Sequence, residues 1–132
     1  MTILVTGGAG FIGSHTIVEL ANASYTPVII DDFSNSNKSV LDGLEKIIGK
    51  KIKIYNHDYK DAEKLESIFR NEKINGVIHF AAFKAVGESV ARPLDYYSNN
   101  VSGLVTLLQV MEKAKVPNLV FSSSCTVYGE PD

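Results

Sequence analysis

Tryptophan is missing from this 132-residue chain, and cysteine occurs once, as Cys125. A single cysteine excludes an internal disulfide framework and fits a reducing compartment. No apolar run approaches the roughly 20 residues that a membrane-spanning helix needs. An excess of one charge is missing too. Thirteen basic and 15 acidic residues leave a net charge of −2, which gives no electrostatic footprint for nucleic acid or an anionic membrane. The three histidines, His15, His57 and His79, show no metal-ligand spacing among themselves or with Cys125, so no metal is expected. Repeats, low-complexity tracts and domain linkers are absent, and the length suits one domain with a real core. Met1-Thr2-Ile3 enters a strand at once, without the features of a signal peptide, so the expected location is cytoplasmic.

What the chain does have is alternation. Short, β-branched apolar segments at 2–6, 26–31, 52–56, 76–81 and 117–123 read as strands covered on both faces. Between them run helical patterns. Ile12, Thr16, Ile17 and Leu20 share a face of the first helix. Val40, Leu41, Leu44, Ile47 and Ile48 line the second, with Ser39-x-x-Asp42 as a candidate cap. Leu65, Ile68 and Phe69 mark the third, capped by Asp61. Val101, Leu104, Leu107, Leu108 and Met111 mark a long fourth, opened near its first turn by Pro93. Strand–helix alternation implies a parallel sheet with right-handed crossovers.

The most informative segment is Thr6-Gly7-Gly8-Ala9-Gly10-Phe11-Ile12-Gly13, directly behind Ile3-Leu4-Val5. Gly8-x-Gly10-x-x-Gly13 fits a dinucleotide fingerprint placed where a first strand hands over to a first helix. Gly8 is expected to make the tight turn, Gly10 to let a pyrophosphate approach, and Gly13 to let the helix lie against the strands. The helix N-terminus then offers unpaired N–H groups to the anion. Asp31 follows the second apolar run, Val28-Ile29-Ile30. A carboxylate there bonds ribose hydroxyls and repels a 2′-phosphate, which favours NAD over NADP. The expected architecture is therefore α/β, a doubly wound Rossmann-type parallel sheet with strand order 3-2-1-4-5. It stops after strand five, where such folds usually continue to a sixth.

Ligands of open α/β sheets sit outside the C-terminal strand ends, so the residues after each strand are the candidates. They are the glycine turn, then Asp31-Asp32-Phe33-Ser34-Asn35-Ser36, then Asp58-Tyr59, then Phe80-Ala81-Ala82-Phe83-Lys84, then Ser122-Ser123-Ser124. Asp58 and Tyr59 suit an adenine amino group and its ring, and equally suit a plain turn into a helix. Ala81 and Ala82 are small enough for a cofactor to pass closely, or simply pack the strand end. Lys84 is a mobile cation for a phosphate or a solvated surface charge. Asparagine is disfavoured inside helices, so Asn99-Asn100 suggest that one of the two is buried and bonded, to the nicotinamide side or to a strand backbone. His79, in an apolar strand, reads as a satisfied core residue. Hydroxyls at Ser122 to Ser124 can orient a substrate oxygen.

Together with Val77-Ile78-His79-Phe80-Ala81, Lys84-Ala85-Val86-Gly87-Glu88-Ser89, Asn99-Asn100-Val101 and Phe121-Ser122-Ser123-Ser124-Cys125-Thr126-Val127-Tyr128-Gly129, the glycine segment resembles the UDP-glucose 4-epimerase group of the extended short-chain dehydrogenase/reductase family. The glycine motif is shared across that superfamily, whereas Lys84 to Ser89 is much more specific to UDP-hexose 4-epimerases. The resemblance covers essentially all of this chain and the N-terminal part of the family's length. It implies an incomplete NAD-binding domain over 1–132, with a C-terminal substrate domain absent. It implies that Gly7, Gly10, Phe11, Ile12 and Gly13 hold the pyrophosphate, and that Asp31, Asp32, Phe33, Ser34, Asn35 and Ser36 surround the adenosine ribose. Asp58 and Tyr59 would bind adenine, although the family commonly has an aliphatic residue at the second place. Phe80, Ala81, Ala82, Phe83, Lys84 and Asn99 would contact the cofactor. Ser124 would orient the sugar hydroxyl that is oxidised.

The implied activity is interconversion of UDP-galactose and UDP-glucose by transient oxidation at sugar C4, with tightly bound NAD accepting and returning hydride. The implied partners are a UDP-sugar in a full-length parent and a second copy in a homodimer, with no nucleic acid and no membrane. The family's general base belongs to a Tyr-x-x-x-Lys motif after strand five, and no tyrosine here has a lysine four residues on; Tyr128 is followed by Asp132. The chain alone is therefore expected to be inactive. Ala82, Phe83 and Cys125 also stand where the family often has Gly, Leu and Ala. An NAD-binding fragment without catalysis, or a nucleotide-sugar dehydratase or decarboxylase of the same family, are the alternatives. With order 3-2-1-4-5, the fifth strand, Leu119-Val120-Phe121, is an open edge that invites self-association.

Overall fold

The computed structural model describes residues 1–129. Five strands form one parallel sheet in the order β3-β2-β1-β4-β5, the order expected of the Rossmann-type sheet. They are β1 (Thr2–Thr6), β2 (Thr26–Ile30), β3 (Lys53–Tyr55), β4 (Gly76–His79) and β5 (Leu119–Phe121). The register sets Thr6 beside Ile30 and beside His79, so the C-terminal ends of the three central strands lie level.

Helices α1 (Phe11–Asn22) and α2 (Ser39–Ile48) cover one face. Val5, Ile17, Ile29 and Leu44 are buried there. Helix α3 (Ala62–Glu72) and helix α6 (Gly103–Lys113) cover the other, where Leu4, Val28, Leu65, Ile68, Phe69, Leu107, Val110 and Met111 form the larger core. Asp61 caps α3 as expected, its carboxylate accepting from Lys64 N at 3.2 Å. Ser39 does not cap α2. The cap is Lys38, without a side-chain bond, and Asn37 Oδ1 accepts from Ser39 N instead. Four expected core residues face water: Ile12, Ile47, Val101 and Leu108 are 51, 70, 52 and 43% exposed.

Before α6 the chain departs from a single long helix. Helix α4 (Val86–Ala91) ends at Arg92, and Pro93 opens a short α5 (Pro93–Tyr96). A six-residue π turn, Tyr97–Ser102, then joins α5 to α6. After β5 comes a 3-10 turn over Cys125–Tyr128. No helix among the described residues is long and apolar enough to cross a membrane. Residues 130–132 lie outside the described residues.

Candidate dinucleotide site

The glycine turn joins β1 to α1 and brings the ends of β1, β2 and β4 together. The left-handed residue is Gly7, at φ +67°, so the tight turn expected of Gly8 belongs to its neighbour. Gly7 N donates to Ile30 O at 2.9 Å, and a Cβ on Gly7 would lie 2.9 Å from Ala81 N. Gly13 is buried beneath the turn, where a Cβ would lie 2.3 Å from Gly7 O. Gly10 caps α1 without a side-chain bond, and the first turn of that helix carries no acidic residue. The N-terminal amides are thus left to an anion, which the helix dipole also favours.

In front of the turn lies a cleft of about 310 Å³, within the usual range for small-molecule sites. Gly7, Gly10 and the 82% exposed Phe11 form its floor and rim. The Phe11 ring meets His15 edge-on, with centroids 4.9 Å apart. Ile12 and Gly13, from the same motif, do not line the cleft.

Asp31 organises the β2 side. Its Oδ2 accepts from Ala9 N at 2.9 Å, and its Oδ1 accepts from Phe33 N at 2.9 Å and Ser36 Oγ at 2.8 Å. Three of about four carboxylate lone-pair sites are therefore occupied within the chain, leaving one on Oδ2 for a ligand hydroxyl. Asp32 Oδ1 holds Ser34 through its N at 2.9 Å and its Oγ at 2.6 Å. Asp31, Asp32, Ser34, Asn35 and Ser36 line the cleft. Phe33 does not; it sits at φ +58°, with Lys38 Nζ 5.4 Å from its ring centroid. That conformation is costly for a bulky residue, and the Phe33 N–H bond to Asp31 holds it there.

Asp58 and Tyr59 part company. Asp58 is not among the cleft-lining residues and holds Lys60, through N at 2.9 Å and Nζ at 3.2 Å. Tyr59 lines the cleft but is buried in the core, its ring edge on His79 at 5.1 Å and its hydroxyl donating to Asn99 O. Burial, then the charges of Asp58 and Asp32, push its phenol well above the usual range. Gly103 is needed beside it, because a Cβ there would lie 2.5 Å from the hydroxyl. Tyr59 is thus a structural pillar at the cleft wall.

Phe80, Ala81, Ala82, Phe83 and Lys84 form the β4 side of the cleft. Behind them Thr6 Oγ1 shares a 2.6 Å hydrogen bond with His79 Nδ1 and accepts from Ala81 N at 3.3 Å. His79 is 2% exposed, and burial pushes its imidazole down to about 4, consistent with a satisfied core histidine. Asn99 is buried and lines the cleft. Its Oδ1 accepts from Lys60 Nζ at 3.0 Å and its Nδ2 donates to Asn100 Oδ1 at 3.0 Å. Asn100 reaches the loop after β4: Phe83 N donates to its Oδ1 at 2.9 Å, and its Nδ2 donates to Phe83 O at 2.8 Å.

Ile30 and His57 also line the cleft. Neither was singled out as a site residue from sequence, although both sit at the strand ends where the search was made. Ser124 lies past β5 on the same sheet edge, exposed and off the cleft lining, its carbonyl accepting from Val127 N. Among the described residues no three His, Cys, Asp or Glu side chains gather as a metal site requires.

A family model described as GDP-mannose 4,6 dehydratase matches residues 4–132. Curated relatives include the UDP-glucose 4-epimerases of Dictyostelium discoideum, 54% identical over 98% of this chain and 38% of the relative, and of Pasteurella multocida, 54% identical over 100% of this chain and 39% of the relative. Among solved structures, the UDP-glucose-4-epimerase of Stenotrophomonas maltophila with bound NAD and formylated UDP-arabinopyranose aligns at a TM-score of 0.96 with 45% identity, over 100% of this chain and 39% of that one. The UDP-glucose 4-epimerase of Bifidobacterium longum in complex with NAD+ and UDP aligns at 0.95 with 49% identity, over 99% and 39%. The chain thus spans about two-fifths of the length of these relatives.

Proposed function

The chain belongs to the family described by the GDP-mannose 4,6 dehydratase model, and from that premise we propose that it is the NAD-holding part of a UDP-glucose 4-epimerase. The observation that carries this reading is convergence: the uncapped start of α1, the Asp31 carboxylate and the small residues Ala81 and Ala82 all meet at one cleft. The residues fit a dinucleotide. The first-turn amides of α1 suit its pyrophosphate, the open lone pair of Asp31 suits a ribose hydroxyl, and the Ala81-Ala82 wall leaves room beside the turn. When bound, the nicotinamide supplies hydride acceptance and return.

Full-length epimerisation of UDP-galactose and UDP-glucose belongs to the same proposal. So do a UDP-sugar partner, a cytoplasmic location and Ser124 as the residue orienting the sugar hydroxyl. Epimerase is preferred to dehydratase because the high-identity relatives, matched over nearly the whole chain, carry the epimerase name. This 132-residue chain should be inactive alone, since it holds no Tyr-x-x-x-Lys pair to take a proton.

Self-association is proposed as well. Leu94, Tyr97, Val101, Val105 and Leu108, spaced three or four apart, leave one exposed apolar stripe along α5, the π turn and α6. Val120 and Phe121 add the exposed β5 edge.

Titration calorimetry of the chain with NAD+ and NADP+ tests the cofactor reading. NAD+ is expected to bind at least about tenfold more tightly, as one unfavourable charge contact of ~1.4 kcal/mol would produce. Asp31→Asn should narrow that gap. Equal or tighter NADP+ binding by the unaltered chain overturns the assignment.

A further inference from the structure

The segment Lys84 to Ser89 carries no role of its own beyond Lys84 at the cleft, yet its anchoring is specific. Residues 80–85 form neither helix nor strand, so their peptide groups need partners from elsewhere. Helix α4, which follows, has no buried residue; Val86 and Val90 are 80 and 79% exposed. Apolar burial therefore does not hold this segment, and polar contacts must.

Tyr96 supplies them. Its hydroxyl accepts from Ala85 N at 3.1 Å and lies 2.9 Å from both Ala85 O and Glu88 Oε2, to which its single proton can be donated in turn. Its ring packs on Phe83, with centroids 5.5 Å apart. Glu88 is steadied by Arg92 at 3.7 Å, and Arg92 by Asp95 at 2.6 Å. One hydroxyl thus ties both ends of the Ala85–Glu88 stretch to α5, immediately beside Lys84.

We propose that Tyr96, acting through Ala85 and Glu88, is a positioning residue that latches this segment and so holds Lys84 at the mouth of the cleft. The inference rests on the dinucleotide reading for what Lys84 meets, but the latch itself does not. Tyr96→Phe removes the hydroxyl and keeps the ring on Phe83. Limited trypsin digestion reports on the latch, because Lys84 is a cleavage site within the segment and the other lysines serve as internal references. Calorimetry with NAD+ reports on the consequence.

Tyr96→Phe is expected to speed cleavage after Lys84 several-fold without changing cleavage elsewhere. It should weaken NAD+ by about three- to tenfold, the worth of one hydrogen bond. Glu88→Gln keeps an acceptor and should behave as the unaltered chain does. Glu88→Ala should shift both readouts in the direction of Tyr96→Phe, and the double variant should fall short of the sum. Unchanged Lys84 cleavage in Tyr96→Phe overturns the latch, as does a uniform rise at every lysine, which would mark general loosening. If the unaltered chain binds no NAD+, the cofactor reading fails, and the cleavage pattern still decides the latch.

Discussion

On the β2 side of the glycine turn, one carboxylate at the strand end does the tying: Asp31 holds Phe33 and Ser36 of its own loop and Ala9 of the turn. On the β4 side, the loop after the strand is held by side chains of the helical run that follows it, Phe83 by Asn100 and Ala85 by Tyr96. Val28, Ile29 and Ile30 of the inner strand β2 are at most 1% exposed, whereas Val120 and Phe121 of the edge strand β5 are 60 and 50% exposed. The lesson is that one cleft can have a wall tied by a carboxylate at its own strand end and a wall tied by side chains of a separate helical segment. The seam between them is the Thr6–His79 bond, which joins the ends of β1 and β4.

The hardest way to break this arrangement is at the turn that both flanks share. Gly13→Val sets a Cβ 2.3 Å from Gly7 O and 2.8 Å from Gly8 Cα, both backbone atoms that cannot rotate away. The expected cost exceeds about 3 kcal/mol, at the upper end for overpacking, with loss of NAD+ binding. Gly43 in α2 is the control, since nothing lies within 4 Å of a Cβ there. Gly43→Ala should gain roughly 0.5–1 kcal/mol from helix propensity. Urea unfolding of the two variants checks both signs, and equal effects would remove the steric argument.

How far the two flanks were legible follows from the same contrast. Asp31 and the glycine turn announce themselves because their spacing is a motif, although Asp31 bonds Ala9 and Gly7 bonds Ile30 across more than twenty residues. The strand order was legible because parallel strands with short crossovers leave few topologies. The π turn was not. A helical reading assumes 3.6 residues per turn, and the π turn at Tyr97–Ser102 takes more, so Val101 was assigned to the core face and lies outside it. Leu108, one residue past buried Leu107, sits about 100° round the helix from it. The burial of Tyr59 was not legible, because its contacts with Asn99 O and Gly103 join residues some forty apart. The adjacent asparagines were the visible trace of this remote anchoring, but nothing in their spacing named Phe83 as the partner.

Acid should open the seam with an intermediate effect. His79 is held neutral by burial, at about 4 against an ordinary 6.5. The unfolded chain therefore takes up a proton at this site that the folded chain refuses between those values. Stability contributed here is full above pH 6.5 and falls as pH drops toward 4, by about 2 to 3 kcal/mol between pH 7.5 and 4.5. Other groups titrate over the same range, so the comparison with His79→Gln isolates this one. The variant should show a shallower loss of stability by that amount in urea midpoints taken across the series. Parallel pH profiles would place the seam's stability elsewhere.

The smallest expected effect lies on the open flank and ranks its two exposed surfaces. The β5 edge is only three residues long, Leu119–Phe121, with Val120 and Phe121 exposed. Short edges are poor templates for pairing. The stripe from Leu94 to Leu108 carries five exposed apolar side chains along a nearly continuous helical run, so it offers the larger area to a second copy. Its contribution is expected to dominate. Light scattering over a dilution series should show a concentration-dependent dimer for the unaltered chain. Val101→Lys with Val105→Lys should raise the dissociation constant by about tenfold or more, since two half-exposed valines are each worth a fraction of a full burial. Val120→Lys should move it only a few-fold. The reverse ranking would shift the association to the sheet edge. A monomer at every concentration would mean that the open flank keeps its apolar surface in water without a copy of itself to cover it.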